Sequence, residues 1–303
     1  MTITVFGSIN LDTCFTVSRL PALGETLLGG GALVSPGGKG ANQAHAARLF
    51  GAEVRMIGAV GADAAAGLAL RSLREAGVDL TGVREMPAAA TGMAAIFRVP
   101  SGDNAIVVES GANSLASERL VSDALLAQTA VLLLQMELRA EESLNLARRA
   151  RAFDCQIVLN LAPAIHFDHL QSGLVDWLIL NASELKQVCD AREIAATTTP
   201  HQARALADAY STNVIVTLGA DGAHLVSRDG PSMACRALGG AIVDTTGAGD
   251  TFAGVFGAAL GASMDRLTAL KWAVAASGLA CRKPGAQTAQ PTRAQIEDAV
   301  RAL

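Results

Sequence analysis

Along most of the chain, short apolar runs alternate with longer stretches rich in alanine and leucine and broken by charges. Ile3 to Phe6, Val54 to Val60, Val131 to Gln135, Ile157 to Asn160, Trp177 to Leu180 and Val214 to Leu218 are apolar almost throughout, not at every second position. Strands of that kind are covered on both faces. The intervening spacing predicts helices over Gln43 to Phe50, Ala65 to Ala76, Ala140 to Phe153, Gly249 to Leu260, Asp265 to Ala280 and Thr292 to Ala302. Alternating strand and helix units argue for a parallel sheet held between helices. The expected fold class is α/β, a three-layer α/β/α sandwich with a mostly parallel central sheet.

Two segments break the rhythm. Residues 13–35 and 91–109 hold short alternating runs such as Cys14-Phe15-Thr16-Val17 and Met93-Ala94-Ala95-Ile96-Phe97, with glycines and prolines at their edges. They read as antiparallel strands outside the main sheet that form a small lid, or else as edge strands of the main sheet. The run at 196–200 reads as a loop entering a helix at His201. There is no internal repeat and no low-complexity linker, so 1–303 is read as one domain carrying the lid.

Composition narrows the function. The chain has 303 residues, half of them apolar and 17% charged, with a net charge of −4. Phosphate-backbone binding needs clustered positive charge, so a nucleic-acid partner is not expected. The N-terminus has no basic region followed by a long apolar stretch, and no apolar run is long enough to span a membrane. Five scattered cysteines with no CxxC read as reduced thiols in a cytosolic protein.

Three groups of residues carry candidate chemistry. In Asp244-Thr245-Thr246-Gly247-Ala248-Gly249-Asp250, small residues precede a helical run, where unpaired N–H groups and the helix dipole suit an anion. Asp250 would sit beside that anion and take a proton from an attacking hydroxyl; the plainer alternative is a helix-capping aspartate. In Gly37-Gly38-Lys39-Gly40-Ala41-Asn42-Gln43, a second glycine turn opens a helix and presents a cation and an amide. Asn10, Asp12 and Glu137 follow strands at the carboxyl end, where open α/β sheets place ligands. Together with Lys39 and Asn42 they make a polyol site. Asn181-Ala182-Ser183-Glu184 and the loop from Thr217 to Gly222 read as strand-end loops suited to a nucleotide, with Glu184 alternatively a first-turn helix acid. Neither glycine turn fits the dinucleotide or P-loop patterns. The five histidines show no zinc-protease spacing, and His166 and His169 flank Asp168 in a loop.

With these residues assembled, the chain resembles the ribokinases of the PfkB sugar-kinase family over nearly its whole length. The resemblance rests on Gly7-Ser8-Ile9-Asn10-Leu11-Asp12, Pro21-x-x-Gly24-Glu25-Thr26, Gly37 to Gln43, Thr91-Gly92, Gly111-Ala112-Asn113, Asn160-x-Ala162-Pro163-Ala164 and Asp244 to Asp250. It implies a ribokinase-like sandwich whose β lid serves as a homodimer contact. The implied reaction is transfer of the γ-phosphoryl of ATP to O5 of D-ribose; the alternative is a related kinase acting on 2-deoxyribose, a nucleoside or fructose. By motif matching, Asn10, Asp12, Gly38, Lys39, Asn42 and Glu137 hold the sugar, and Asp250 is the base. The Gly247, Ala248 and Gly249 amides form the anion hole. Asn181, Thr217, Gly219, Gly222, Gly249 and Val274 meet the nucleotide, and Glu184 orders the hydration of Mg²⁺. An activating K⁺ falls to Asp244, Thr246, Ala280, Lys283, Gly285 and Ala289, most of them acting through backbone carbonyls. Ala289 stands where a serine is common, and Pro284 is an unusual neighbour.

Overall fold

The computed structural model describes residues 2–99 and 104–301. Residues 100–103 of the predicted 91–109 segment, Ala302 of the predicted last helix, and residues 1 and 303 of the predicted domain lie outside the described residues. From the N-terminus the chain forms β1 (Thr2–Phe6), β2 (Asn10–Thr16), β3 (Gly31–Gly37), α1 (Lys39–Leu49), β4 (Glu53–Gly61), α2 (Ala64–Ala69) and α3 (Arg71–Ala76). It continues through β5 (Asp79–Met86), β6 (Gly92–Arg98), β7 (Asn104–Glu109), α4 (Asp123–Leu126), β8 (Thr129–Leu134), α5 (Ala140–Ala150) and β9 (Gln156–Asn160). The last third contains β10 (Trp177–Asn181), α6 (Ala182–Ala191), α7 (Thr199–Tyr210), β11 (Asn213–Thr217), β12 (Ala223–Val226), β13 (Met233–Cys235), α8 (Ala248–Gly261), α9 (Arg266–Ala280) and α10 (Arg293–Val300).

A nine-stranded sheet has the order β13-β12-β11-β10-β9-β8-β1-β4-β5, and a four-stranded sheet has the order β3-β2-β6-β7. From β5 across to β11 every neighbouring pair in the large sheet is parallel, while β12 and β13 return antiparallel at one edge. Strand β8 shows why its residues are apolar without alternation. Val131 and Leu133 join a core with Phe50, Phe252, Phe256, Leu270 and Ile296, whereas Leu132 and Leu134 join another with Leu144, Leu185 and Leu206. Successive side chains point to opposite faces, and each face carries its own helices. The three-layer α/β/α architecture expected from the sequence is the one observed.

The small sheet draws β2 and β3 from one irregular segment and β6 and β7 from the other, with β2 and β6 parallel at its centre. It is a sheet of its own, not an edge of the large one. It begins earlier than residue 13, however. Asn10 and Asp12 lie inside β2, paired with Gly37 and Ser35 of β3.

Several boundaries differ from the pattern reading. The helix expected over 65–76 is two, α2 and α3, separated at Leu70, where ψ is −5°. The segment 181–184 is not a loop: Asn181 caps α6, and its side chain and that of Glu184 exchange hydrogen bonds with each other's backbone N–H at 2.8 Å. The alternative reading of Glu184 as a first-turn helix acid is the one the structure bears out, with the capping box added to it. Helix α7 starts at Thr199, ahead of His201, with Pro200 in its first turn, where a missing N–H costs nothing. Strands β5, β12 and β13 carried too little apolar patterning to be predicted.

Candidate active site

Helices α1 and α8 approach each other closely enough that a Cβ on Gly254 would lie 2.4 Å from the Gln43 carbonyl oxygen. Only glycine permits that spacing, and the spacing brings the first turn of α1 onto the first turn of α8. Asn42 Nδ2 donates to Asp250 Oδ2 at 2.9 Å, and Gln43 Nε2 donates to Asp250 Oδ1 at 3.2 Å. Each amide is held in turn. Gln287 Nε2 donates to Asn42 Oδ1 at 3.0 Å, and Gln135 Nε2 donates to Gln43 Oε1 at 2.8 Å. Asp250 is 5% exposed. Burial raises its pKa, with Lys39 and the two amides pulling the other way.

The neighbouring strand ends complete the polar cluster. Asn113 Nδ2 donates to Asn10 Oδ1 at 2.7 Å, and Ile9 N donates to Asn113 Oδ1 at 2.9 Å. Ser8 Oγ donates to Glu137 Oε2 at 2.6 Å, and the Lys39 backbone N–H donates to the same oxygen at 3.1 Å. Burial would push the Lys39 ammonium down, but Asp250, Glu137, Glu184 and Asp12 around it outweigh burial and raise it. Asp12 is pushed up to about 7, first by burial and then by the charges of Glu137 and Asp250, against the pull of Lys39. Its Oδ1 is buried and has no hydrogen-bond partner among the described residues. A buried acceptor left open in this way is a costly feature unless a donor arrives with a ligand.

Helix α8 is capped at its N-terminus by Gly247, whose φ of 71° is open to glycine. The Ala248 N–H is committed to Thr245 O at 3.2 Å, which narrows the expected anion hole. The Gly247, Gly249 and Asp250 amides make no recorded hydrogen bond among the described residues. They stand at the positive end of a 14-residue helix.

Two adjoining cavities open here. The smaller, about 190 Å³, is lined by Lys39, Asn181, Glu184, Thr217, Gly247 and Asp250 among others. The larger, about 400 Å³, is lined by Thr217, Gly219, Gly222, Ala248, Gly249 and Val274, with Ile242 and Phe252 as apolar walls. Thr217, Thr245 and Gly249 line both. Glu184 is raised chiefly by burial, partly offset by the Asn181 N–H. Its Oε2 is engaged by that N–H, and its Oε1 has no hydrogen-bond partner among the described residues. Gly38 caps α1 beside Asn10.

The residues matched to a monovalent cation lie behind the anion hole. Ala280 ends α9, Lys283 and Gly285 occupy the turn after it, and Ala289 closes the short turn Gln287–Ala289. Asp244 Oδ1 accepts from Thr246 N at 3.0 Å and Thr246 Oγ1 at 2.7 Å. Its Oδ2 accepts from Gly285 N at 2.9 Å and Arg98 Nη2 at 2.9 Å. A carboxylate offers about four lone-pair sites, so this one has none left for a cation. His166, Asp168 and His169 build no metal cluster of three or more His, Cys, Asp or Glu side chains among the described residues.

Sequence reasoning assigned no role to Ser8, Gln43, Asn113, Gln135 or Gln287. Gln43 is fully buried beside Asn42 and His45 on α1, and a buried amide needs a partner, but its burial is shown by the structure and not by the sequence. Gln135 is a polar residue closing an apolar strand run.

A parallel sheet between helices, a second sheet over one end, and a buried carboxylate at an open helix N-terminus beside a long cleft define a small-molecule kinase. The pfkB family carbohydrate kinase model matches residues 2–293, and the chain belongs to that family. It is 37% identical over 295 residues to a ribokinase of Haemophilus influenzae, covering 96% of each chain. Among solved structures it superimposes on a ribokinase of Thermotoga maritima with a TM-score of 0.91 at 30% identity, covering 99% of both chains. It also superimposes on an Arabidopsis thaliana ribokinase complexed with ribose and ATP, with a TM-score of 0.89 at 27% identity, covering 99% of this chain and 98% of that one.

Proposed function

We propose that the protein transfers the γ-phosphoryl group of ATP to O5 of D-ribose, giving D-ribose 5-phosphate and ADP. The observation that carries this reading is the buried Asp250 carboxylate, fixed by Asn42 and Gln43 at the mouth of three open backbone amides. Asp250 takes the proton from O5, O5 bonds to the γ-phosphorus, and the bond from that phosphorus to the β-bridging oxygen breaks as ADP leaves. Phosphoryl transfer depends mainly on position and charge, and this site offers a base, a cation and an anion hole with no covalent nucleophile. The Gly247, Gly249 and Asp250 amides bear on the transferring group, and Ala248 contributes to the wall of the cleft and not through its N–H.

Asn10, Asp12, Gly38, Lys39, Asn42 and Glu137 hold the sugar in this reading. A pentose presents hydroxyl donors, which the open Oδ1 of Asp12 needs. Asn181, Thr217, Gly219, Gly222, Gly249 and Val274 receive the nucleotide along the larger cavity and its junction with the smaller. For Mg²⁺, which neutralises phosphate charge, the open oxygen of Glu184 fits a water-mediated contact. A K⁺ ion does not fit the committed carboxylate of Asp244, and no step is assigned to it. The small sheet serves as lid and homodimer contact; Leu33, Val34, Met93, Ile106, Val107 and Val108 on it are exposed apolar residues. No described helix is long and apolar enough to cross a membrane.

The test is Asp250→Asn, measured as ribose-dependent ADP release beside ribose binding. Turnover falls by about 10² to 10⁴ while binding stays near the parent value. Parent-rate turnover in the variant overturns the assignment of the base. A faster parent rate on 2-deoxyribose, a nucleoside or fructose than on ribose overturns the substrate.

A further inference from the structure

Arg98 is the last residue of β6, at the end of the small sheet, where it pairs with Thr16. Its guanidinium is 37% exposed, yet it reaches a carboxylate that is only 7% exposed, Asp244, 146 residues further along the chain. Asp244 is the organiser of the loop in front of α8. It holds Thr246 through both backbone and hydroxyl, and it ties that loop to Gly285 in the turn after α9. Its own N–H and that of Val243 are anchored on Cys281 O. Four donors converge on the carboxylate, the Thr246 N–H and hydroxyl on one oxygen and the Gly285 N–H and Arg98 guanidinium on the other, an arrangement that suits its ionised form. A buried, ionised carboxylate of this kind requires a counter-charge.

We infer that Arg98 is a built-in cation that takes the place of a monovalent metal ion: from the small sheet it neutralises Asp244 and so fixes the loop that presents the Gly247 and Gly249 amides. Arg98 is a positioning residue, acting through Asp244 and Thr246 and touching neither phosphate nor sugar. The arrangement makes order in the anion hole depend on where the small sheet sits. Loss of the guanidinium frees one lone pair of Asp244 Oδ2, which still accepts from the Gly285 N–H, and so opens the carboxylate to a cation. The inference rests on the kinase reading only for the name of the nucleotide; the salt dependence it predicts does not need turnover.

The experiment compares thermal melting and ADP affinity in potassium chloride and in tetramethylammonium chloride at equal ionic strength, for the parent, Arg98→Ala and Arg98→Lys. The parent should melt at the same temperature and bind ADP equally in both salts. Arg98→Ala should melt lower and bind ADP about tenfold more weakly in tetramethylammonium, with K⁺ restoring most of both. Arg98→Lys keeps the charge and should stay close to the parent in both salts, which separates loss of charge from general damage should the alanine variant fold poorly. Selective K⁺ stabilisation of the parent overturns the inference. So does an Arg98→Ala loss that is equal in the two salts, since that is a merely structural role. If ADP binding and melting behave as expected but ribose is not phosphorylated, the function falls and this inference stands.

Discussion

On the side of the cleft assigned above to the acceptor, several of the polar side chains are held by other side chains. Asp250 is gripped by Asn42 and Gln43, Asn42 by Gln287, Gln43 by Gln135, and Asn10 by Asn113. The side assigned to the nucleotide is lined largely by backbone and apolar surface, with Gly219, Gly222, Gly249, Ala241, Ile242, Phe252 and Val274 along it, and a planar apolar base would need little more. The difference is one of cooperation. In a buried hydrogen-bonded network each member depends on the next, so the loss of one propagates. An apolar wall is a sum of small contacts, and each can be trimmed separately.

The comparison is tested most severely at Gln43, which makes no contact with substrate in this reading and yet orients the base. Gln43→Leu removes a hydrogen bond to a charged group and leaves Gln135 Nε2 without its acceptor. Such bonds are worth about 1.5–3 kcal/mol, so kcat should fall roughly 10- to 100-fold with little change in nucleotide KM. An unchanged kcat would show that the acceptor side is not a network. Next comes Gly254→Ala. Its Cβ would meet backbone at Gln43 and the Ala46 methyl at 2.9 Å, so α1 must move away from α8. Overpacking of this kind costs about 1–3 kcal/mol, visible in urea unfolding, and kcat should fall with it. Parent stability and parent kcat together would contradict the close approach.

The same contrast explains what was legible in the sequence. Apolar runs such as Val131 to Gln135 identified the central strands because burial on both faces leaves a simple mark. Asp250, Lys39, Asn42 and Glu137 were visible as a group: each alone could be a cap or a loop residue, and their shared place at strand ends and glycine turns pointed to a site. Gln43 and Gln287 were visible only as letters, since their meaning lies in partners more than 200 residues away in one case and 245 in the other. Arg98 was hidden for the same reason: nothing local to β6 announces a carboxylate at 244. Asn181 and Glu184 show the converse. Their capping box is wholly local, in line with the first-turn helix acid that the sequence offered for Glu184, and the cap itself sets Glu184 at the cavity wall.

A smaller effect should appear at Asp12, as a pH dependence of stability. The free carboxyl group titrates near 3.8, and in the folded protein it titrates near 7. Between those values the folded chain binds more protons than the unfolded one, so stability falls as pH rises from about 4 to about 7 and is level above that. Asp12 is half-buried, and solvent screening brings the expected change to the order of 1 kcal/mol. Asp12→Asn should abolish this part of the slope in urea unfolding across the range. Parallel slopes for parent and variant would mean that neither burial nor the charges of Glu137 and Asp250 raise this group in the folded chain.

The smallest effect belongs to the nucleotide side. Val274 on α9 is 4% exposed and lines the larger cavity without any polar partner to lose. Val274→Ala removes two methyl groups from the wall, of which only the part facing the cavity can meet a base. At about 0.8 kcal/mol per buried methylene, the nucleotide KM should rise roughly three- to tenfold. Because the wall is additive, kcat and ribose KM should stay at their parent values. A drop in kcat comparable with that of Gln43→Leu would erase the distinction between the two sides, and would place Val274 among the residues that hold Phe252 and the start of α8 in register.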